Sequence, residues 1–323
     1  MTQPRDNNKR WSGLLTATVS VILVALVVSM ASFVLMRLTP GSSATAIAKK
    51  RAHAGATPAQ IEELVAVLGL DDPLVVQYGR WLGQAVQGKF GVSERSGLAI
   101  RHEITRRIWP TAQIVLPALI LAVVAGLTAG VIGAITRHPI LRLAARGAGL
   151  ISVSIPAFWL GYLLILLFSE RLAWLPTSGV QAGKSLVMPV LVLATPATGV
   201  ISRVCAVSVL DALRQPFVTT AMARGASNRS ILINDIGRYV LGPVVSAIGL
   251  QLAAMMAGTV VVETLFGRPG LGSFFLEAVS LRDLPAVQAV VVLYAMGFVL
   301  INRSTDAVVA AFDPRIRASE VGW

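Results

Sequence analysis

The side chains able to do chemistry are few and scattered. Glu263 and Glu277 have no base at a spacing that makes an acid–base pair, and no phosphate-binding loop with its lysine occurs in the chain. Cys205 is the only cysteine, so neither an intrachain disulfide nor a thiolate metal cluster can form. His53, His102 and His138 lack the spacing of metal ligands and read as solvated or interfacial residues. Arg303 and Asp306 stand three apart on one helix face, where they neutralise one another. The expectation is therefore no catalytic residue, no metal site and no cofactor held by this chain. What the sequence does concentrate is positive charge. Arg214, Arg224, Arg229 and Arg238 fall within LDALRQPFVTTAMARGASNRSILINDIGRYVLGP, residues 210–243, between two long apolar runs. At the bilayer centre each arginine would cost about 2.5–3.5 kcal/mol, so this stretch is expected in water between two spans.

The elements that must hold it follow from composition. Of 323 residues, 55% are hydrophobic and 14% charged, and mean hydropathy is +0.72. That balance belongs to a polytopic membrane protein, with no need of so much apolar surface in a soluble core. A net charge of +12 could suggest nucleic acid. The cations, however, lie between hydrophobic runs and not on one soluble face, so they read as topology signals and no nucleic-acid partner is expected.

In chain order, a polar start with Arg5, Lys9 and Arg10 precedes an uncharged run from Ser12 to Met36. It resembles a signal peptide with small residues at Ala44 and Ala46, but its apolar core is longer than the roughly 7–15 residues usual for a cleaved signal. Residues 1–36 are expected as a cytoplasmic N-terminus and retained first span. Residues 37–109 mix charges with glycines and prolines and read as an extracytoplasmic insertion; within it Thr57 and Pro58 can open a helix that Gly69 closes. Five further runs, Thr111–Thr136, Leu150–Phe168, Leu186–Ser202, Val240–Val262 and Leu284–Phe312, make a core over residues 110–312, with 313–323 as a cytoplasmic tail. The short basic loop 137–149 fixes the orientation, placing both termini and loop 204–239 in the cytoplasm and the short segments 169–185 and 264–283 outside. The fold class is thus all-α integral membrane protein with six spans.

Within the basic stretch, Ser208–Arg224 can form a short helix interrupted or restarted at Pro216, Gly225 can stop it, and Ser227 or Asn228 can cap a second helix. On physical grounds an interfacial helix lying on headgroups and a docking element fit equally. Pro117, Pro156, Pro189 and Pro196 can bend spans or be merely tolerated in them. Gly126, Gly130 and Gly133 permit close helix contact.

Ordered motifs add a resemblance. TTAMARGAS, with Pro243 eighteen residues after Gly225, resembles the cytoplasmic loop of permease subunits of ATP-binding-cassette importers. Thr219 and Thr220 stand where most members have Glu-Ala, a departure common in the peptide and nickel branch. MRLTPG, LGLDDPLVVQYGRWL, GKFGVS, SIPAFWLGYLLILLF, WLPTSG, ETLFGRPGLG, RDLPAVQ and DPRIR resemble, in order, the first permease subunit of dipeptide, oligopeptide and nickel importers, covering the chain from Ser12 to Arg317. Asn302-Arg303-Ser304-Thr305-Asp306 departs from the family's usual Asn-Leu-variable-Asp. The resemblance implies the type I importer permease fold in a bacterial inner membrane and a coupling helix that inserts into a groove on an ATPase subunit. Its docking positions carry over to Thr220, Ala221, Arg224, Gly225 and Ala226. Implied partners are a second permease subunit in a heterodimer, two ATP-binding-cassette ATPase subunits holding ATP and magnesium, an extracytoplasmic binding protein and membrane lipid. The implied cargo is a peptide, nickel or a metal chelate.

Gln251, Met255 and Thr259 lie at steps of four on the fifth span and share a face. Two readings suit them, a wall of the cargo pathway or a polar strip packed against the partner permease. The rival to the importer is an ion-coupled carrier or channel working alone, which would need ionisable residues near the bilayer midplane that this chain almost lacks. A membrane-embedded enzyme would need the acid, base or metal set missing above.

Overall fold

A computed structural model describes residues 7–38, 57–69, 71–93, 95–179 and 183–312. Ala44, Ala46, His53 and the tail 313–323 with its DPRIR lie outside the described residues. The described chain is helical: α1 (Asn7–Leu38), α2 (Pro58–Leu68), α3 (Leu74–Val86) and α4 (Ile100–Ile135) come first. Then follow α5 (Pro139–Ser154), α6 (Ala157–Arg171), α7 (Lys184–Leu213), α8 (Pro216–Ala223), α9 (Asn228–Leu265), α10 (Leu271–Ser280) and α11 (Leu284–Phe312). The described residues contain no strand, only an isolated antiparallel bridge between Val92 and Ala99.

α4, α7, α9 and α11 are long and apolar enough to cross a membrane, and α5 with α6 adds a bent pair. α1 carries a shorter apolar stretch, Val21–Leu35. α4 shows why these helices need lipid. Ile114, Ala118 and Ala122 are buried at steps of four, while Leu116, Ile120 and Val124 on another face are exposed and equally apolar. A helix apolar all round is stable only in a nonpolar surround.

The chain forms two compact units, residues Met1–Ile108 with Phe274–Val299 and residues Trp109–Ser273 with Leu300–Trp323. In the first, Tyr78 of α3 shares a 2.8 Å hydrogen bond with Ser29 of α1 and meets the Phe33 ring edge-on at 5.6 Å. α2 starts and stops as its sequence predicts. Thr57 and Gln60 form a reciprocal capping box, Pro58 opens the helix and Gly69 closes it at φ 59°. Two motifs meet in this unit: Ser93 of GKFGVS donates to Asp283 of RDLPAVQ at 2.5 Å, and Asp283 accepts from the Ala286 N–H and so caps α11. Arg95 pairs with Glu277 at 2.5 Å, and Arg107 pairs with Glu103 while its guanidinium lies 4.5 Å from the Phe274 ring centre.

In the second unit, Ile114 and Ala118 of α4, Met188, Val192 and Ile201 of α7, and Met255 and Val262 of α9 make one apolar core with α6. Glycines set the approach of α4 to α7. A Cβ at Gly126 would come 2.9 Å from Ile201, and one at Gly130 would come 2.7 Å from the Cys205 Cβ.

Three segments take a form that hydropathy alone did not specify. The run Leu150–Phe168 is not one straight span, because α5 and α6 meet at 104°. Pro156 has no N–H to continue the helix and its ring holds Ile155 extended at φ −80°, ψ 122°. The basic loop 137–149 is mostly the helix α5, since Pro139 sits at its first position with φ pre-set. Finally, α7 extends into the segment 204–239. No breaker lies between Arg203 and Leu213, so α7 runs on past the apolar run and ends before Pro216, with Gln215 extended at φ −78°, ψ 146°.

Candidate functional site

The basic stretch folds as a short helix braced on two long ones. Pro216 opens α8, and Val218 and Ala221, at helical spacing, are buried with Val209 and Ala212 of α7 and Ile231, Ile236 and Val240 of α9. Phe217 and Tyr239 add a ring contact at 5.9 Å. The end of α8 is a Schellman turn. The Ala226 N–H reaches the Ala221 carbonyl at 3.1 Å, the Gly225 N–H reaches Met222 at 2.9 Å, and Gly225 takes φ 78°. Ser227 then caps α9 by accepting from the Ser230 N–H at 3.3 Å. Both stop signals read from the sequence therefore act where expected.

This packing divides the predicted docking residues. Ala221 is 5% exposed and faces inward, and Ala226 packs partly against the same cluster. Thr220, Arg224 and Gly225 are on the outer side with Thr219 and Ala223. Thr220 donates its hydroxyl to the Pro216 carbonyl at 3.0 Å, and the Arg224 Nε lies 3.4 Å from the Thr220 carbonyl. Sequence reasoning missed Met222, which is 53% exposed in the middle of this polar face. Its signal was available: an unbranched apolar side chain one residue from a buried position on a short helix, a type suited to adaptable contacts. Arg214, Arg229 and Arg238 are all exposed.

Gln251, Met255 and Thr259 do share a face of α9, but burial separates them. Met255 is in the apolar core, Thr259 is fully buried and donates to the Met256 carbonyl at 2.6 Å, and Gln251 alone keeps partial exposure. Arg303 and Asp306 stand 4.0 Å apart, at the edge of ion-pair range.

A second constellation lies at the other end of α9, where the sequence singled out Glu263 but neither Arg268 nor the partners of either residue. Glu263 is fully buried and accepts from the Thr111 hydroxyl at 2.6 Å and the Ser273 N–H at 2.9 Å. Thr111 in turn accepts from the Leu271 N–H at 2.8 Å, so the first free N–H groups of α10 are satisfied by α4 and α9. Arg268, also buried, donates to the Gly179 carbonyl and to the Gln113 side chain, each at 3.1 Å, and its Nε has no partner among the described residues. Burial lowers the Arg268 pKa, and the Glu263 carboxylate opposes this. Gly270 leaves room for Glu263, because a Cβ there would overlap the carboxylate. Thus ETLFGRPGLG and WLPTSG form one polar knot. The signal was a glutamate and an arginine beside an apolar run.

Comparison with known proteins bears directly on this arrangement. The family model for the inner membrane component of binding-protein-dependent transport systems matches residues 122–318, and the model for the N-terminal part of that component matches residues 12–120. This chain belongs to that family. Glutathione transport system permease proteins GsiC from Escherichia coli strain K12 and from Shigella dysenteriae serotype 1 are each 36% identical to it over 292 residues, 90% of this chain and 94% of theirs. An inward-facing structure of the MetNI methionine ABC transporter superposes with a TM-score of 0.55 at 20% identity, covering 65% of this chain and 96% of that one, which supports the fold. The chain is an importer permease component of a bacterial inner membrane, crossing it several times. It is a permease by family and not itself a catalyst.

Proposed function

We propose that this permease component forms half of the transmembrane pathway of an ATP-driven importer of small peptides. Glutathione is a tripeptide, and the relatives that transport it match nine-tenths of this chain; that match favours a peptide of similar size over nickel or a metal chelate. A second permease subunit completes the pathway, an extracytoplasmic binding protein delivers cargo, and two ATPase subunits hold ATP and magnesium. The chain crosses the membrane six times with both termini in the cytoplasm, α1 and the bent α5–α6 pair each counting as one span.

Force enters through α8. Its outer face, Thr219, Thr220, Met222, Ala223 and Arg224, is exposed, while Val218 and Ala221 tie it to α7 and α9. Displacement of α8 by a closing ATPase pair would therefore move α7 and α9 with it, and nucleotide binding would bias two arrangements of the pathway. Of the residues on the shared α9 face, Gln251 is the pathway contact. The observation that carries the proposal is a short, Schellman-capped helix with one face welded inward and the other free, in a chain of this family. Cysteine placed at Met222 should cross-link to the ATPase subunit in the assembled transporter, and cysteine at Val207, exposed on α7, should not. Cross-linking at Val207 but not at Met222 would remove the docking assignment.

A further inference from the structure

We infer that the elbow between α5 and α6 is a binding site for an anionic phospholipid. The bend opens an apolar cleft of about 500 Å³ lined by Leu150, Ile151, Ser154, Pro156, Phe158 and Trp159. That volume lies within the range of about 300–1,000 Å³ typical of small-molecule sites. Its walls are unusually bare: Leu150, Ile151 and Phe158 are each more than half exposed, and α5 has no buried residue along its length.

Charge selects the occupant. Residues 137–154 carry Arg137, His138, Arg142 and Arg146 and no acid. Arg142 is engaged, its guanidinium donating twice to the Thr136 carbonyl at 2.9 and 3.3 Å. Arg146 is exposed, and no carboxylate among the described residues pairs with it. Arg146, Leu150 and Ser154 follow at steps of four, so the free guanidinium stands one turn from the cleft on the stripe that lines it. The other side of α5 is already used, since Gly149 and Ser152 abut Gly199 of α7. A cation one turn from an open apolar slot, on a helix that carries no acid, matches a phosphate headgroup with an acyl chain below it.

Native mass spectrometry tests this on the full chain, purified in neutral detergent with its co-purifying subunits and titrated with dioleoyl phosphatidylglycerol or dioleoyl phosphatidylcholine. Phosphatidylglycerol should be retained about fivefold better, the worth of one basic side chain at an anionic surface. Arg146→Gln should bring the two lipids to parity, Arg146→Lys should keep the preference, and Ser154→Trp should reduce retention of both. Parity in the unmodified protein, or a preference unchanged by Arg146→Gln, would overturn the site. So would a cysteine at Ser154 that cross-links to another subunit, because protein would then fill the cleft.

Discussion

Glu263 and Arg268 illustrate what single residues contribute here. Both are buried, and each is held by partners far away in sequence: Thr111 and Ser273 for the carboxylate, Gln113 and Gly179 for the guanidinium. Removing the guanidinium leaves the buried Gln113 and Gly179 acceptors without their donor and takes away a charge that Glu263 favours, which costs about 1–3 kcal/mol. Arg268→Met should therefore lower the thermal unfolding midpoint of the detergent-solubilised chain, read by tryptophan fluorescence. Arg268→Met combined with Glu263→Gln should recover part of the loss because the two sites interact. A double variant that is merely the sum of the two singles would show the residues to be independent. The position of Glu263 in the sequence carried no indication of its partners. The partners of the two residues come from three separate segments, and spacing along the chain carries no record of contacts made by folding.

Elements were legible wherever a local stop signal acts and illegible where hydropathy alone was available. Thr57–Pro58, Gly69, Gly225 and Ser227 each do their work through hydrogen bonds to neighbours within a few residues, so the string contains the whole cause. The end of the apolar run at Arg203 was a poor guide to the end of α7, because hydropathy reports a match to lipid and not where a helix stops; α7 runs on to Leu213, and Pro216 opens the next helix. Likewise, Leu150–Phe168 has a spanning length but turns through 104° at Pro156. The seating of α5 depends on a residue it does not contain. A Cβ at Gly199 would come 2.5 Å from the Gly149 carbonyl and overlap the Ser152 hydroxyl. Gly199→Val should force α5 away from α7 at a cost of about 1–3 kcal/mol. Spin labels at Leu143 and Val207 would read the change as a lengthened or broadened distance distribution; an unchanged distribution would mean that α5 is held by something else.

For the molecule as a whole, the sequence supports a chain without chemistry of its own, and membership of the permease family gives that absence a meaning. On the proposed account the chain contributes a pathway and a lever: long apolar helices in lipid, and α8 fixed to α7 and α9 by Val218 and Ala221 but open on its other side. Arg224 and Gly225, which the proposal places on the docking side, fall in the motif read from the sequence. The inward turn of Ala221 depended on packing that only the structure supplies. The most direct measurement is the number of ATP molecules hydrolysed per peptide taken up by the complete transporter in proteoliposomes, supplied with its binding protein. The combined variant Met222→Asp and Arg224→Glu should lower uptake about tenfold, the effect of losing roughly 1.4 kcal/mol of docking, while ATP hydrolysis by the ATPase subunits persists. An unchanged ratio at full uptake would contradict α8 as the point where force enters the chain.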